Sequence, residues 1–275
     1  MYHLQHILRN NILFYEYNLT ANSSISLTNT SIDTRAIGTQ GRTGNITIEA
    51  FNAGNIELIN NSDFFAAIFT GSAADTPGET TGGELKIIGG AIVIDNYNFN
   101  NIVGRRGNGG DILITGNSVS LQNFTAINAF TFGGGDAGDV VITGDAVNIT
   151  DGSSIITQAS GEETGNAGNI TIDVTNGGTF NLSGNKSQII TTSIEGGRAG
   201  DIDLNAGEII ISNGEIEAGT FGTSVENIDI TPGTINLKGA RSITITDSLI
   251  TSETIVERDG GDISFETNDL DISDA

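Results

Sequence analysis

The chain has 275 residues, 34 acidic against 11 basic side chains, a net charge of −23 and a hydrophobic fraction of 37%. That charge excludes nucleic acid as a partner, because a phosphate backbone needs a basic footprint, and it disfavours anionic membrane surfaces. Cysteine is absent, so there is no thiol nucleophile, and the composition suits export through an oxidising compartment.

Taken in chain order, residues 1–22 stand apart. "MYHLQHILRNNILFYEYNLT" carries Arg9, Asn10 and Asn11 in mid-stretch and no small-residue cleavage site, so it does not read as a secretory signal. Nowhere does the chain approach the ~18 consecutive apolar residues of a membrane span, and no membrane insertion is expected. The segment is either an improvised cap, with Ile7, Leu8, Ile12 and Phe14 covering one end of the downstream chain, or upstream sequence without that role. Its histidines, His3 and His6, read as incidental rather than as a metal site.

From residue 23 to 275 one phrase keeps returning: Gly-[Asn/Asp/Glu]-apolar-x-apolar. It starts at Gly44, Gly83, Gly110, Gly138, Gly168, Gly200 and Gly261, with spacings of 39, 27, 28, 30, 32 and 61 residues. "ENIDI" at 226–230 reads as a degenerate copy dividing the long gap. Self-similarity at periods of about 20–50 residues marks a repeat architecture. Within a period, apolar and polar residues alternate in three short runs, each predicted to be a strand with one buried face. After Gly138 these runs are "DVVIT", "AVNIT" and "SSIITQ"; after Gly168 they are "NITIDV", "TFNLS" and "SQIITT". Three strands per equivalent turn predict an all-β fold, a parallel β-helix whose rungs lie ~4.8 Å apart. A single rung leaves two open faces and unpaired backbone, so its stability must come from its neighbours.

The glycine-rich run is predicted to be the corner between rungs, with glycine supplying a positive φ. The residue after it, Asn45, Asp111, Asp139, Asn169, Asp201 or Asp262, should form a ladder bonded to the backbone of the neighbouring rung. Alternation places Ile48, Ile87, Ile112, Ile114, Ile142, Ile172 and Leu204 in the core, with Ile112, Ile142, Ile172 and Leu204 expected in one column. Variable text gathers at the same corner, at 71–82, 104–109, 133–137, 161–167, 195–199 and 219–224, the edge where a solenoid commonly meets partners. The array starts and stops in mid-rung, which predicts a piece of a longer array, truncated at both ends, with the parent's neighbouring repeats as contacts.

Catalysis is not expected. Glycosidic cleavage needs two convergent carboxylates, whereas Asp111, Asp139 and Asp201 occupy equivalent places on separate rungs, and the array has no His to activate its serines. The alternatives are a β-helix enzyme acting on polysaccharide and a calcium-dependent repeat protein. "GGGDAGD" and "GNGGD" approach the Gly-Gly-x-Gly-x-Asp phrase of calcium-binding arrays, but they recur about every 30 residues rather than every nine. No cofactor is expected beyond opportunistic calcium at an Asp-rich corner.

The texture of "GNAGNITI" at 165–172 and "GGRAGDIDL" at 196–204, carried across 23–275, resembles the filamentous haemagglutinin-like repeats of large bacterial exoproteins, particularly those abundant in cyanobacteria. The resemblance implies a right-handed β-helix stalk, exported by two-partner secretion through an outer-membrane transporter. It also implies an extracellular or cell-surface location on a Gram-negative-type bacterium, and an adhesin-like role in aggregation or contact with glycans or cell surfaces. The family's secretion domain carries Asn-Pro motifs; neither Pro77 nor Pro232 follows Asn, so none of its functional residues carries over. The expected function is a non-catalytic structural or adhesive stalk.

Overall fold

β-Branched and aliphatic residues alternate with polar ones in runs that Asn, Asp and Gly interrupt, a pattern suited to a pleated, half-buried surface. The computed structural model describes residues 16–34, 43–60, 67–72, 82–104, 107–161, 165–194, 196–222, 231–254 and 259–274. Among them there is no helix, and all strands belong to one parallel sheet coiled as a β-solenoid.

Each rung takes three strands in succession. Early rungs keep them separate: β1 (Glu16–Ala21), β2 (Ile25–Thr28) and β3 (Ile32–Asp33); β4 (Asn45–Ala50), β5 (Ile56–Ile59) and β6 (Ala67–Ser72); β7 (Leu85–Ile88), β8 (Ala91–Asp95) and β9 (Asn98–Val103); β10 (Ile112–Thr115), β11 (Ser118–Gln122) and β12 (Ala126–Phe132). Later rungs run strand-like through their bends. β13 (Val140–Thr150) and β14 (Ser154–Ser160) form one rung, β15 (Ile170–Ile194) and β16 (Ile202–Phe221) one each, and β17 (Ile235–Thr246) with β18 (Leu249–Thr251) another; β19 (Ile263–Ser273) gives the first two strands of the last.

In-register pairing converts alternation into columns. On the first strand one column runs Tyr17, Ile46, Leu85, Ile112, Val140, Ile170, Ile202, Ile235 and Ile263; the next runs Leu19, Ile48, Ile87, Ile114, Ile142, Ile172, Leu204, Leu237 and Phe265. Ile112 is therefore not in the column of Ile142, Ile172 and Leu204, contrary to the expectation. It stands two residues earlier on its strand, over Val140, and Ile114 takes the place next to Ile142. Both isoleucines are fully buried, so only the register differs from the expectation. Two more columns line the second strand and one the third, where Phe99, Ile127, Ile155, Ile189 and Ile216 stack. In the last rung the continuing columns come to the surface, with Ile263, Phe265, Leu270 and Ile272 between 36% and 50% exposed.

Two boundaries shift. β1 pairs with β4 from Glu16↔Asn45 to Ala21↔Ala50, so the array reaches upstream of the 22/23 boundary; Ile7, Leu8, Ile12, Phe14 and both histidines lie outside the described residues. The rung after β16 begins at Ile235, opposite Ile202, with Gly233 as its corner glycine. The corner spacings are thus 33 (200 to 233) and 28 (233 to 261), and "ENIDI", outside the described residues, is not needed as a copy. "PGTINL" escapes the sequence pattern because Thr234 stands where other rungs carry Asn, Asp or Glu.

Candidate functional site

The corner from the third strand of one rung to the first strand of the next gathers most of the recurring polar chemistry. Gly83, Gly110, Gly138, Gly168, Gly200, Gly233 and Gly261 stack there. A Cβ on Gly138 would lie 2.0 Å from the carbonyl oxygen of Gly110, one on Gly168 2.0 Å from that of Gly138, and one on Gly233 1.8 Å from that of Gly200. None of these seven glycines has a positive φ, although Gly196 (φ 136°) and Gly197 (φ 93°) earlier in one of the same runs do, so the expected reason holds for part of that run and not for the motif glycine. Glycine is required because each rung's backbone passes directly over the carbonyl below, leaving no room for a Cβ.

The residue after that glycine forms a ladder. Asn45 Oδ1 accepts the backbone N–H of Glu84 at 2.9 Å, Asp111 that of Asp139 at 2.9 Å, Asp139 that of Asn169 at 2.7 Å, Asn169 that of Asp201 at 2.9 Å, and Asp201 that of Thr234 at 2.7 Å. Asp262 holds the equivalent place in the last rung, and its carbonyl accepts the N–H of Ile235. Asn and Asp interchange because only one acceptor oxygen is used. Burial pushes the Asp139 carboxyl above its ordinary pKa and the Asp111 charge adds to this, while the Asn169 N–H works the other way.

A second ladder, three residues earlier, is one that the sequence pattern does not bring out. Asn108 Oδ1 accepts from the N–H of Asp136 at 3.1 Å, Asp136 from Asn166 at 2.9 Å, and Asn166 from Arg198 at 2.9 Å. Its signal is present in "GNGGD", "GDAGD", "GNAGN" and "GRAGD", but these positions fall inside segments that read as variable insertions. Arg105, Arg106, Glu162 and Glu163, which belong to the same segments, lie outside the described residues.

Inside the solenoid, third-strand side chains tie down the same corner. Thr34 Oγ1 donates to the Gly44 carbonyl at 3.0 Å, Asn101 Nδ2 to Gly83 at 2.8 Å and also to Gly110, Thr157 to Gly168 at 2.5 Å, Thr191 to Gly200 at 2.6 Å, and Ser252 to Gly233 at 2.6 Å. The glycine carbonyls, which cannot join a ladder at the bend, thereby find partners.

The corner between second and third strands works differently. Asn29, Asn96, Asn123, Asp151, Asn213, Asp247 and Asp274 all have φ between 48° and 55°, and Gly184 holds the same place with φ 94°. Asn and Asp tolerate that left-handed conformation better than other non-glycine residues. Buried hydroxyls brace this corner from inside: Ser187 Oγ accepts the N–H of Gly152 and donates to the Ser183 carbonyl, and Ser248 Oγ accepts from Gly214 and donates to Thr246.

Apart from the ladders, Glu217 on the outer face of the third strand is raised above the ordinary carboxylate range by burial, then by Glu215 and Glu253. Among the described residues no group of three or more His, Asp or Glu is placed to hold a metal ion, and no helix is long and apolar enough to cross a membrane. No protein family model, curated protein or solved structure matches the chain.

Proposed function

We propose that the chain is a non-catalytic structural stalk of an exported, surface-displayed protein, which presents its corner segments to other cells or to glycans. The observation that carries this reading is the use of its polar groups. Asn45, Asp111, Asp139, Asn169 and Asp201 place Asn or Asp at one equivalent position, and each is bonded to the backbone of the next rung. A catalytic centre instead gathers unlike groups around one reacting atom. Export and adhesion rest on the resemblance of the repeat texture to haemagglutinin-like exoproteins.

One feature favours the enzymatic alternative: Asp111 and Asp139 are adjacent carboxylates, with the second raised by burial and by the first. A single experiment separates the two readings. Purified chain is assayed for binding to bacterial cells and to a glycan array, and for release of reducing ends from a polysaccharide panel. The stalk reading expects binding that weakens when the variable segments within 71–82, 161–167 and 219–224 are shortened, and no sugar release. Sugar release abolished by Asp139→Asn would replace it with the enzyme. Binding that survives shortening of every corner segment would move the adhesive surface to the strand faces.

A further inference from the structure

The outer face of the third strand differs from the other two. On the first strand one outward row reads Thr115, Thr143, Asp173 and Asn205, and on the second one reads Thr150, Ser183 and Ser212. On the third, register brings Ile102 beside Phe130, and sets Phe132, Ser160, Ile194 and Phe221 in one row. Phe132 is 49% exposed and meets Phe130 edge to face, with ring centroids 6.3 Å apart. The Phe221 ring folds back over Gly219, where a Cβ would lie 2.6 Å from it. Amides share this face: Asn128 Nδ2 donates to Asn100 Oδ1 at 3.0 Å, and Gln158 pairs in register with Phe130. Among the described residues, no outward position of the third strand is charged from β9 to β15; Glu215 and Glu217 bring the first charges, on β16.

We propose that this face is a binding platform for a neutral glycan chain, a contact surface additional to the corner segments. Sugar rings offer apolar C–H faces with hydroxyls at the rim. Aromatic rings, negative on their faces, suit the former, and amides that both donate and accept suit the latter. Acidic glycans are disfavoured by the net charge of −23 and by the carboxylates of Glu215 and Glu217. Area decides against a second copy of the chain. Four rungs at ~4.8 Å, each up to seven residues long as in β12, cover about 400 Å². A stable protein interface takes ~800 Å² from each partner, and two chains of this charge repel. An apolar patch of a few hundred Å² is nonetheless the size at which a monomer's surface is often functional. The proposal rests on the glycan-contact reading above and gives it a second address.

Affinity electrophoresis tests it, with the purified chain run through gels containing hydroxyethyl cellulose, mixed-linkage β-glucan, galactomannan or polygalacturonate. The expected result is retardation by at least one of the three neutral polymers and none by polygalacturonate. Phe132→Ala should weaken that retardation about tenfold, the order expected for losing one stacked ring. Phe51→Ala, which removes a phenylalanine 43% exposed at a different corner, should leave it unchanged. Should Phe132→Ala fail to fold, Phe132→Leu keeps most of the bulk without the ring and should show the same loss. Retardation untouched by either Phe132 variant but lost on shortening the corner segments would overturn the proposal while leaving the glycan reading in place. No retardation in any neutral gel would remove both. A dimer seen by sedimentation velocity and dispersed by Phe132→Ala would overturn the proposal by assigning the face to a second copy.

Discussion

The two corners of each rung use similar residues for opposite reasons. At the corner leading into the first strand, the motif glycine has no positive φ and is selected by space: a Cβ on Gly168 would fall 2.0 Å from a carbonyl oxygen. At the corner leading into the third strand, Asn, Asp and Gly184 are selected by conformation, with φ positive and room for a side chain; a Cβ on Gly184 would meet nothing closer than 3.2 Å. Asn at the first corner follows the glycine and acts through its side-chain oxygen, whereas at the second it acts through its backbone tolerance. Residue type alone does not reveal which demand is being met. The position of the neighbouring rung does.

The same substitution made at both corners separates the two demands. Gly168→Ala should be the most damaging: it forces two rungs apart where backbone meets backbone, at a cost of about 3 kcal/mol or more, and Gly168→Asn should be no better. Chemical denaturation would register this as a fall in midpoint or loss of a cooperative transition. Gly184→Ala should cost about 1–2 kcal/mol, the strain of placing alanine at positive φ, and Gly184→Asn should come close to the parent chain. Equal losses for Gly168→Asn and Gly184→Asn would show that the corners do not differ as described.

Asp139→Asn is a smaller and pH-dependent test of the ladder. The variant keeps the Oδ1 acceptor, as Asn169 does naturally, but removes the charge. Because burial and Asp111 raise the folded-state pKa of Asp139 above its unfolded value, the folded state binds the proton more tightly. Stability from this group is therefore fully present below the unfolded pKa and is lost as pH rises through the folded one. Asp139→Asn should match the parent chain at the acid end of that window and be modestly more stable than it at pH 7. A variant less stable than the parent at pH 7 would mean that the carboxylate charge itself holds the ladder together.

Much of the fold is legible because alternation, period and the Asn/Asp position are local features of the chain. The first-strand columns and the ladder through Asn45, Asp111, Asp139, Asn169 and Asp201 follow from aligning repeats. The features that escape depend on contacts between rungs. Ile112 is misplaced when residue type is matched instead of the count from the corner glycine: Ile112 follows Gly110 by two as Val140 follows Gly138, which leaves Ile114 to match Ile142. Gly233 is hidden because Thr234 breaks the motif. The second ladder is obscured because Arg198 ends it and its other members resemble loop residues. The steric role of the corner glycines is not readable at all, since the atom that excludes a Cβ belongs to a glycine about 30 residues earlier.

The central claim is that equivalent residues of successive rungs lie side by side in one register, and the absence of native cysteine makes it directly measurable. Neighbouring strands lie about 4.8 Å apart, within the Cα separation of a disulfide. Asp203 pairs with Asn236 across the rungs of β16 and β17, and Asn205 with Lys238 two residues on. Asp203→Cys with Asn236→Cys should oxidise quantitatively to an intramolecular disulfide in the folded chain, and Asp203→Cys with Lys238→Cys should not. Crosslinking through position 238 with none through 236 would contradict the register on which the columns, ladders and corners all depend.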